Sequence, residues 1–178
     1  MGPDSGSKLG SFRVLLLALA AGALVLVTAG AASAQATKVP RSIPYAANAA
    51  VPQAVRDQCE LQTKVPEFIA ASAGSSVELV DGAVSRKSGR VLEMEITEVH
   101  APGGGAFSGA KWMTVNGTLY DRGKSIGNFR AKRFSTGGAF GGFKGTCAII
   151  GRCSKAIGED IARWLAAPTA NANLGDAQ

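Results

Sequence analysis

The sequence predicts an α+β domain of two layers: an antiparallel sheet of about four strands, its apolar face covered by an N-terminal helix and one long C-terminal helix. Two observations carry this expectation. Apolar residues alternate with period two through the middle of the chain, and between Thr146 and Ala167 they change to a helical spacing. A chain of 178 residues, 46% hydrophobic and only 18% charged, has the material for one modest core of this kind.

The chain begins with what reads as an export signal. Lys8 and Arg13 precede an apolar stretch from Val14 to Gly30, which ends in Ala32-Ser33-Ala34-Gln35-Ala36. A basic segment, an apolar segment and small residues at Ala34 and Ala36 fit signal peptidase, so cleavage is expected after Ala36, with Ala34 as second choice. Residues 1–36 are then the signal peptide, and no stable membrane span remains after cleavage. The alternative is an inner-membrane anchor formed by residues 14–30, because that stretch approaches the roughly 20 apolar residues that cross a bilayer. No cysteine follows the cleavage site to take a lipid.

Residues 37–52 hold Pro40, Pro44 and Pro52 among small residues without apolar periodicity, and they read as a flexible lead-in. The folded domain is expected over 53–167. A first helical stretch runs from Gln53 to Thr63; a second begins at Pro66, a residue suited to a helix's first position, and stops before Gly74. Leu61, Val65, Phe68 and Ile69 are its expected buried contacts. Val77 to Val80 is a short edge strand.

Three clearer strands follow. In Val91–Val99, Leu92, Met94 and Ile96 oppose Glu93, Glu95 and Thr97; in Trp112–Tyr120, Met113, Val115 and Leu119 oppose Thr114, Asn116 and Thr118. In Ile126–Phe134, Phe129 and Ala131 oppose Asn128, Arg130 and Lys132. Asp121-Arg122-Gly123-Lys124 is a tight hairpin turn, and Pro102-Gly103-Gly104-Gly105 lies in a looser connection. The last helix buries Ile150, Cys153, Ile157, Ile161 and Trp164, turns Arg152, Lys155, Glu159 and Arg163 outward, and stops at Pro168. The tail, 168–178, has no apolar face and is expected to be disordered.

The chemistry available is narrow. One histidine and three cysteines provide no zinc spacing, and no calcium loop or catalytic carboxylate pair is present, so neither a metal nor a cofactor is expected. The glycine-rich run Gly137–Gly142 leads through Phe143 and Lys144 into the long helix. Lys144, Gly145 and Thr146 with these backbone N–H groups form a candidate anion site, although the Gly-Lys-Ser/Thr succession of a phosphate loop is absent. The competing reading makes the glycines a crossover and Thr146 a helix cap. Arg130, Lys132 and Arg133, with Arg122 and Lys124, form a basic cluster that Glu93 and Glu95 are placed to neutralise across strands. His100 is read as a surface residue at a strand end, and no catalytic residue is assigned.

Export brings the three thiols into an oxidising compartment. Cys147 and Cys153, if both helical, stand about 9 Å apart along the axis, beyond the roughly 7 Å limit for a bridge. Cys153 shares the buried stripe with Ile150 and Ile157, where a thiol behaves as a small hydrophobe. The expected disulfide is therefore Cys59 with Cys147, leaving Cys153 reduced.

The segment GGAFGGFKGTCAIIGRCSKAIGEDIARWL, preceded by VNGTLYDRGKSIGNFRAKR and by CELQTKVPEFI, resembles an uncharacterised family of small exported proteins of Gram-negative bacteria, over Cys59 to Trp164. The strand hairpin followed by a helix ending in Asp-Ile-Ala-x-x-Leu is more distantly similar to the α+β domains of envelope assembly proteins such as the curli secretion lipoprotein. The lipidated cysteine of that group is missing here. The resemblance implies periplasmic residence and the α+β fold class and brings no catalytic residue with it; the expected function is that of a non-enzymatic interaction domain of the cell envelope. With a net charge of +6, the expected partner is another envelope protein or an anionic envelope component, and export excludes nucleic acid. The alternative is a small-ligand or anion-binding protein using the glycine-rich loop.

Overall fold

In chain order the elements are β1 (Thr37–Pro40), β2 (Tyr45–Ala50), α1 (Gln53–Gln58), α2 (Leu61–Ala73), β3 (Val77–Val80), β4 (Arg90–His100), β5 (Lys111–Asp121), β6 (Lys124–Ser135), α3 (Thr146–Ala166) and β7 (Ala172–Gly175). The computed structural model describes residue 2, residues 35–136 and residues 143–178. Nearly all of the expected leader, including the anchor candidate 14–30, and the glycine run 137–142 lie outside the described residues.

β4, β5 and β6 form the antiparallel meander that the alternation predicts. Their register runs from Arg90↔Asp121 to His100↔Trp112 and from Lys111↔Ser135 to Asp121↔Lys124. Arg122 and Gly123 both take positive φ, 49° and 89°, which gives the two-residue turn the twist that its flanking strands need. A bulge between Ile96 and Glu98 keeps Ile96 and Val99 on one face although they are three residues apart. Leu92, Met94, Ile96, Val99, Met113, Val115, Leu119, Phe129 and Ala131 are all buried on that face.

The sheet is larger than expected and mixed. It has seven strands in the order β3-β1-β4-β5-β6-β7, with β2 also on β4, and β1, β2, β3 and β7 join by parallel pairing. The additional strands come from the two segments read as unstructured. In 37–52, β1 lies between β3 and β4, with Val39 and the following Ile43 fully buried. In 168–178, Asn171 takes a left-handed conformation, φ 54°, and exchanges two hydrogen bonds with the Asn128 side chain, which turns the chain onto β6. Strands of four to six residues are too short to display a period, and what holds these is the exposed edge of the meander.

The helical layer corrects one boundary. Glu60 in a left-handed conformation, φ 53°, separates α1 from α2, and Pro66 lies inside α2 instead of opening a helix. Having no N–H, Pro66 leaves the carbonyl of Gln62 without its helical donor. The N–H of Ile43 fills the vacancy at 3.0 Å, fastening the bend between β1 and β2 to the helix. Leu61, Val65, Pro66 and Ile69 are buried, while Phe68 is half-buried at the crossing with α3. There a Cβ on Gly158 would lie 2.6 Å from Phe68 Cβ and 2.9 Å from its backbone, so the two helices meet at a position only glycine fits.

α3 covers the meander with the expected stripe of Ile150, Cys153, Ile157, Ile161 and Trp164, joined by Ile149 and Leu165. Each isoleucine so buried contributes about 1.5–3 kcal/mol. Asp160, 6% exposed, belongs to the same face because Arg133 reaches it from β6 with Nε to Oδ2 at 2.6 Å and Nη2 to Oδ1 at 2.9 Å. Cys59 and Cys147 form the disulfide, joining the α1–α2 junction to the first turn of α3. The result is an α+β domain with helices on one face of its sheet.

Candidate functional site

The face turned away from the helices carries the polar half of the alternation. Cross-strand register arranges it in rows from β4 through β5 to β6: His100–Trp112–Phe134, Glu98–Thr114–Lys132, Glu95–Asn116–Arg130 and Glu93–Thr118–Asn128. Acidic residues stand on β4, short neutral ones on β5, and bases on β6 in two of the four rows. Short side chains between longer ones make β5 the floor of a trough. A cavity of about 490 Å³ opens on its acidic side, lined among others by Pro40, Pro44, Val84, Glu95, Asn116 and Tyr120. A second, of about 420 Å³, lies towards β6 and β7, bounded by Asn116, Thr118, Asn128, Arg130 and Asn173.

The rows differ in how well their polar groups are satisfied. Glu98 accepts from Trp112 Nε1 at 2.9 Å and Thr114 Oγ1 at 3.3 Å, and His100 stacks on the Trp112 ring at 3.7 Å. The Trp112 hydrogen bond, with Lys132, Thr114 and Arg130 assisting against the cost of burial, holds the Glu98 carboxyl below its ordinary range. Lys132 Nζ sits 5.5 Å above the Trp112 ring. Glu93 receives the fork of Arg86, Nε at 2.7 Å and Nη2 at 2.6 Å, while Arg86 also lies over Tyr120. Asn128 is tied to Asn171.

The row between them is unsatisfied. The buried Asn116 Oδ1 accepts no hydrogen bond, and among the described residues neither Glu95 nor Arg130 has an ion-pair partner. The expected neutralisation of the basic cluster by Glu93 and Glu95 does not occur, because β5 separates β4 from β6 and Glu93 is taken by Arg86. The cluster itself is divided. Arg130 and Lys132 face the trough, Arg133 turns to Asp160 on the helix side, and Arg122 and Lys124 stay at the hairpin.

The residues picked out ahead of α3 are placed differently. Gly145, not Thr146, occupies the N-cap position and supplies no side-chain cap; Thr146 is the first helical residue and its hydroxyl donates to the Pro102 carbonyl oxygen at 3.3 Å. Lys144 is half-buried beside them, and the glycines 137–142 of the proposed loop lie outside the described residues. Ser108 Oγ and the buried Lys111 Nζ also donate to Pro102 O, at 3.2 and 2.9 Å, and Lys111 Nζ donates to Ser108 Oγ at 2.9 Å. Burial draws the Lys111 ammonium below the ordinary lysine range. These contacts tie the β4–β5 connection to the start of α3.

The remaining thiol, Cys153, is buried, and burial first, then the negative charge of Asp176, pushes its pKa up to about 12. A thiol that stays protonated is a poor nucleophile. The expected result is no alkylation of native protein at neutral pH and one thiol per chain alkylated after unfolding without reductant. The unfolded thiol ionises at its ordinary value and the folded one does not, so this group's contribution to stability is intact below that value and declines as pH rises towards about 12. Among the described residues no cluster of His, Cys, Asp and Glu could hold a metal ion, and no helix is long and apolar enough to cross a membrane.

Fold and site together define a two-layer α+β domain with an uncovered, polar, charge-divided sheet face. No protein-family model matches the chain, and no curated protein does. Among solved structures it is similar to a PelC dodecamer from Paraburkholderia phytofirmans, at 14% identity over 70% of this chain and 86% of that one, TM-score 0.44. A single-substitution variant of that protein gives 14% identity over 70% and 87%, TM-score 0.43. A third structure, described as an uncharacterized protein, gives 11% identity over 74% of this chain and 99% of that one, TM-score 0.45. At these values no residue role is carried across.

Proposed function

We propose that this chain is an exported, non-enzymatic binding domain of the cell envelope, and that it engages its envelope component through the open face of the sheet. Export rests on the signal pattern of residues 1–36, and the Cys59–Cys147 disulfide fits an oxidising compartment. The observation that carries the reading is the Glu95–Asn116–Arg130 row. Its two ends, Glu95 and Arg130, are exposed and stand in no ion pair among the described residues, and its middle residue, Asn116, lines both cavities of the uncovered face.

Photo-crosslinking in intact cells tests this. A photoreactive residue at Thr118, on the trough floor, is expected to trap an envelope component, whereas one at Lys155, on the outer surface of α3, is expected to trap none. Crosslinks from Lys155 but not from Thr118 contradict the reading. Stabilisation by phosphate that disappears in Lys144→Ala favours the loop ahead of α3 instead.

A further inference from the structure

We infer that one end of the domain docks on an anionic lipid bilayer, with Phe107 and Phe143 as the inserted side chains. This contact is separate from the open face and does not depend on it. Phe107, Phe143 and Phe134, exposed to 89%, 93% and 60%, are with Ile126 the large apolar side chains left in solvent among the described residues. Three of the four share one end of the sheet. Phe134 stands there in the His100–Trp112–Phe134 row, where β4 ends and β5 begins. Phe107 adjoins Ser108, and Phe143 lies three residues before Thr146; the hydroxyls of Ser108 and Thr146 donate to the same Pro102 carbonyl oxygen. That shared acceptor fastens the two loops to each other. Gly104 and Gly109, both at positive φ, turn the chain on either side of Phe107 and leave its ring at a loop tip.

Charge and area select the occupant. From Val99 to Gly158 the chain has nine lysines and arginines and one acid, Asp121, which belongs to the hairpin at the far end. Lys144 directly follows Phe143, and Lys132 reaches over Trp112. Glu98 and Asp176, which touch this end from other elements, are engaged: Glu98 accepts from Trp112 and Thr114, and Asp176 pairs with Arg133. A second copy of the chain would bring the same positive charge. Three phenylalanines of at most about 250 Å² each, none fully exposed, also fall short of the roughly 800 Å² that each partner gives to a stable interface. A bilayer needs no matching surface: inserted aromatic rings supply apolar burial, and the bases beside them attract anionic headgroups. The amphipathic Trp112 ring then lies at headgroup level. Thr37, the first residue after the expected cleavage site, is at the opposite end, because the neighbouring Lys38 pairs with Val91, so this contact is distinct from any anchoring by the leader.

Co-sedimentation with vesicles tests the assignment, using the chain freed of residues 1–36, which holds every element of the fold. It is expected to bind vesicles of phosphatidylcholine with phosphatidylglycerol more tightly than phosphatidylcholine alone, and added salt should narrow the difference. Phe107→Ser/Phe143→Ser should weaken binding by about tenfold or more while keeping the parent's melting temperature, because both positions are exposed. The two tryptophans report orientation. Trp164 packs against Gly127 and Phe129, about 20 Å further along the strands from Trp112. Bromine-labelled lipid should therefore quench Trp112 and spare Trp164, so that Trp112→Phe removes most of the quenching. No binding to the anionic vesicles, a double variant that binds like the parent, or quenching that survives in Trp112→Phe overturns the assignment. A double variant that changes self-association without lipid, and not vesicle binding, shows an interface between copies and also overturns it. Crosslinking from Thr118 is independent of all these results, so the open-face reading stands or falls separately.

Discussion

Trp164→Ala is expected to destabilise the domain by about 3–5 kcal/mol, measured by equilibrium denaturation, while Lys155→Ala on the same helix stays within about 0.5 kcal/mol of the parent. The tryptophan is 6% exposed and meets Phe129 edge to face at 4.9 Å between ring centres, joining the last turn of α3 to β6. A Cβ on Gly127 would lie 2.9 Å from its ring, so the strand is fitted closely to the indole and cannot fill the space its loss would leave. Lys155 is mostly exposed, and its ion pair with Glu159, at 3.9 Å, is of a surface kind that contributes little. Similar losses from the two substitutions would mean that the faces of α3 are assigned wrongly.

Removing the disulfide is expected to cost about as much. Cys59 and Cys147 are 88 residues apart, and in the chain-entropy account closing a loop of that size restricts the unfolded chain by about 4–5 kcal/mol. The double variant Cys59→Ala/Cys147→Ala, which leaves no stray thiol at either position, should lose that amount in denaturant titration. Small domains are stable by only about 5–15 kcal/mol, so reductant should lower the melting temperature of the parent markedly and leave that of the double variant unchanged. A parent protein indifferent to reductant would contradict this.

What could be read from sequence was whatever is long and periodic. β4, β5, β6 and α3 each extend over eleven residues or more, enough for alternation or a helical stripe to show. β1, β2 and β7 have no such signal, because their places depend on edges of the sheet that exist only once the meander has formed. Pro66 illustrates the same limit: its sequence position suggests a helix start, but its structural role is to free a carbonyl for Ile43, a residue far from any visible pattern. The disulfide was accessible because helix geometry disfavoured one pairing and burial of Cys153 a second.

The site was legible only in outline. Alternation placed Glu95, Asn116 and Arg130 on the polar side of their strands, but it could not show which polar groups remain open. That depends on Arg86, from the loop after β3, claiming Glu93, and on Asn171, from the turn after α3, claiming Asn128. The candidate at Lys144, Gly145 and Thr146 drew notice from its glycines, its lysine and the helix start that follows, and sequence could not show that the Thr146 hydroxyl donates to the Pro102 carbonyl.

The central claim is that the open face of the sheet, with Asn116 and Thr118 on its floor, is where the envelope component binds. Photo-crosslinking in intact cells from Thr118, with Lys155 on the outer surface of α3 as the comparison, tests it most directly. The account predicts an envelope component trapped from Thr118 and none from Lys155. Crosslinks from Lys155 with none from Thr118 would contradict it.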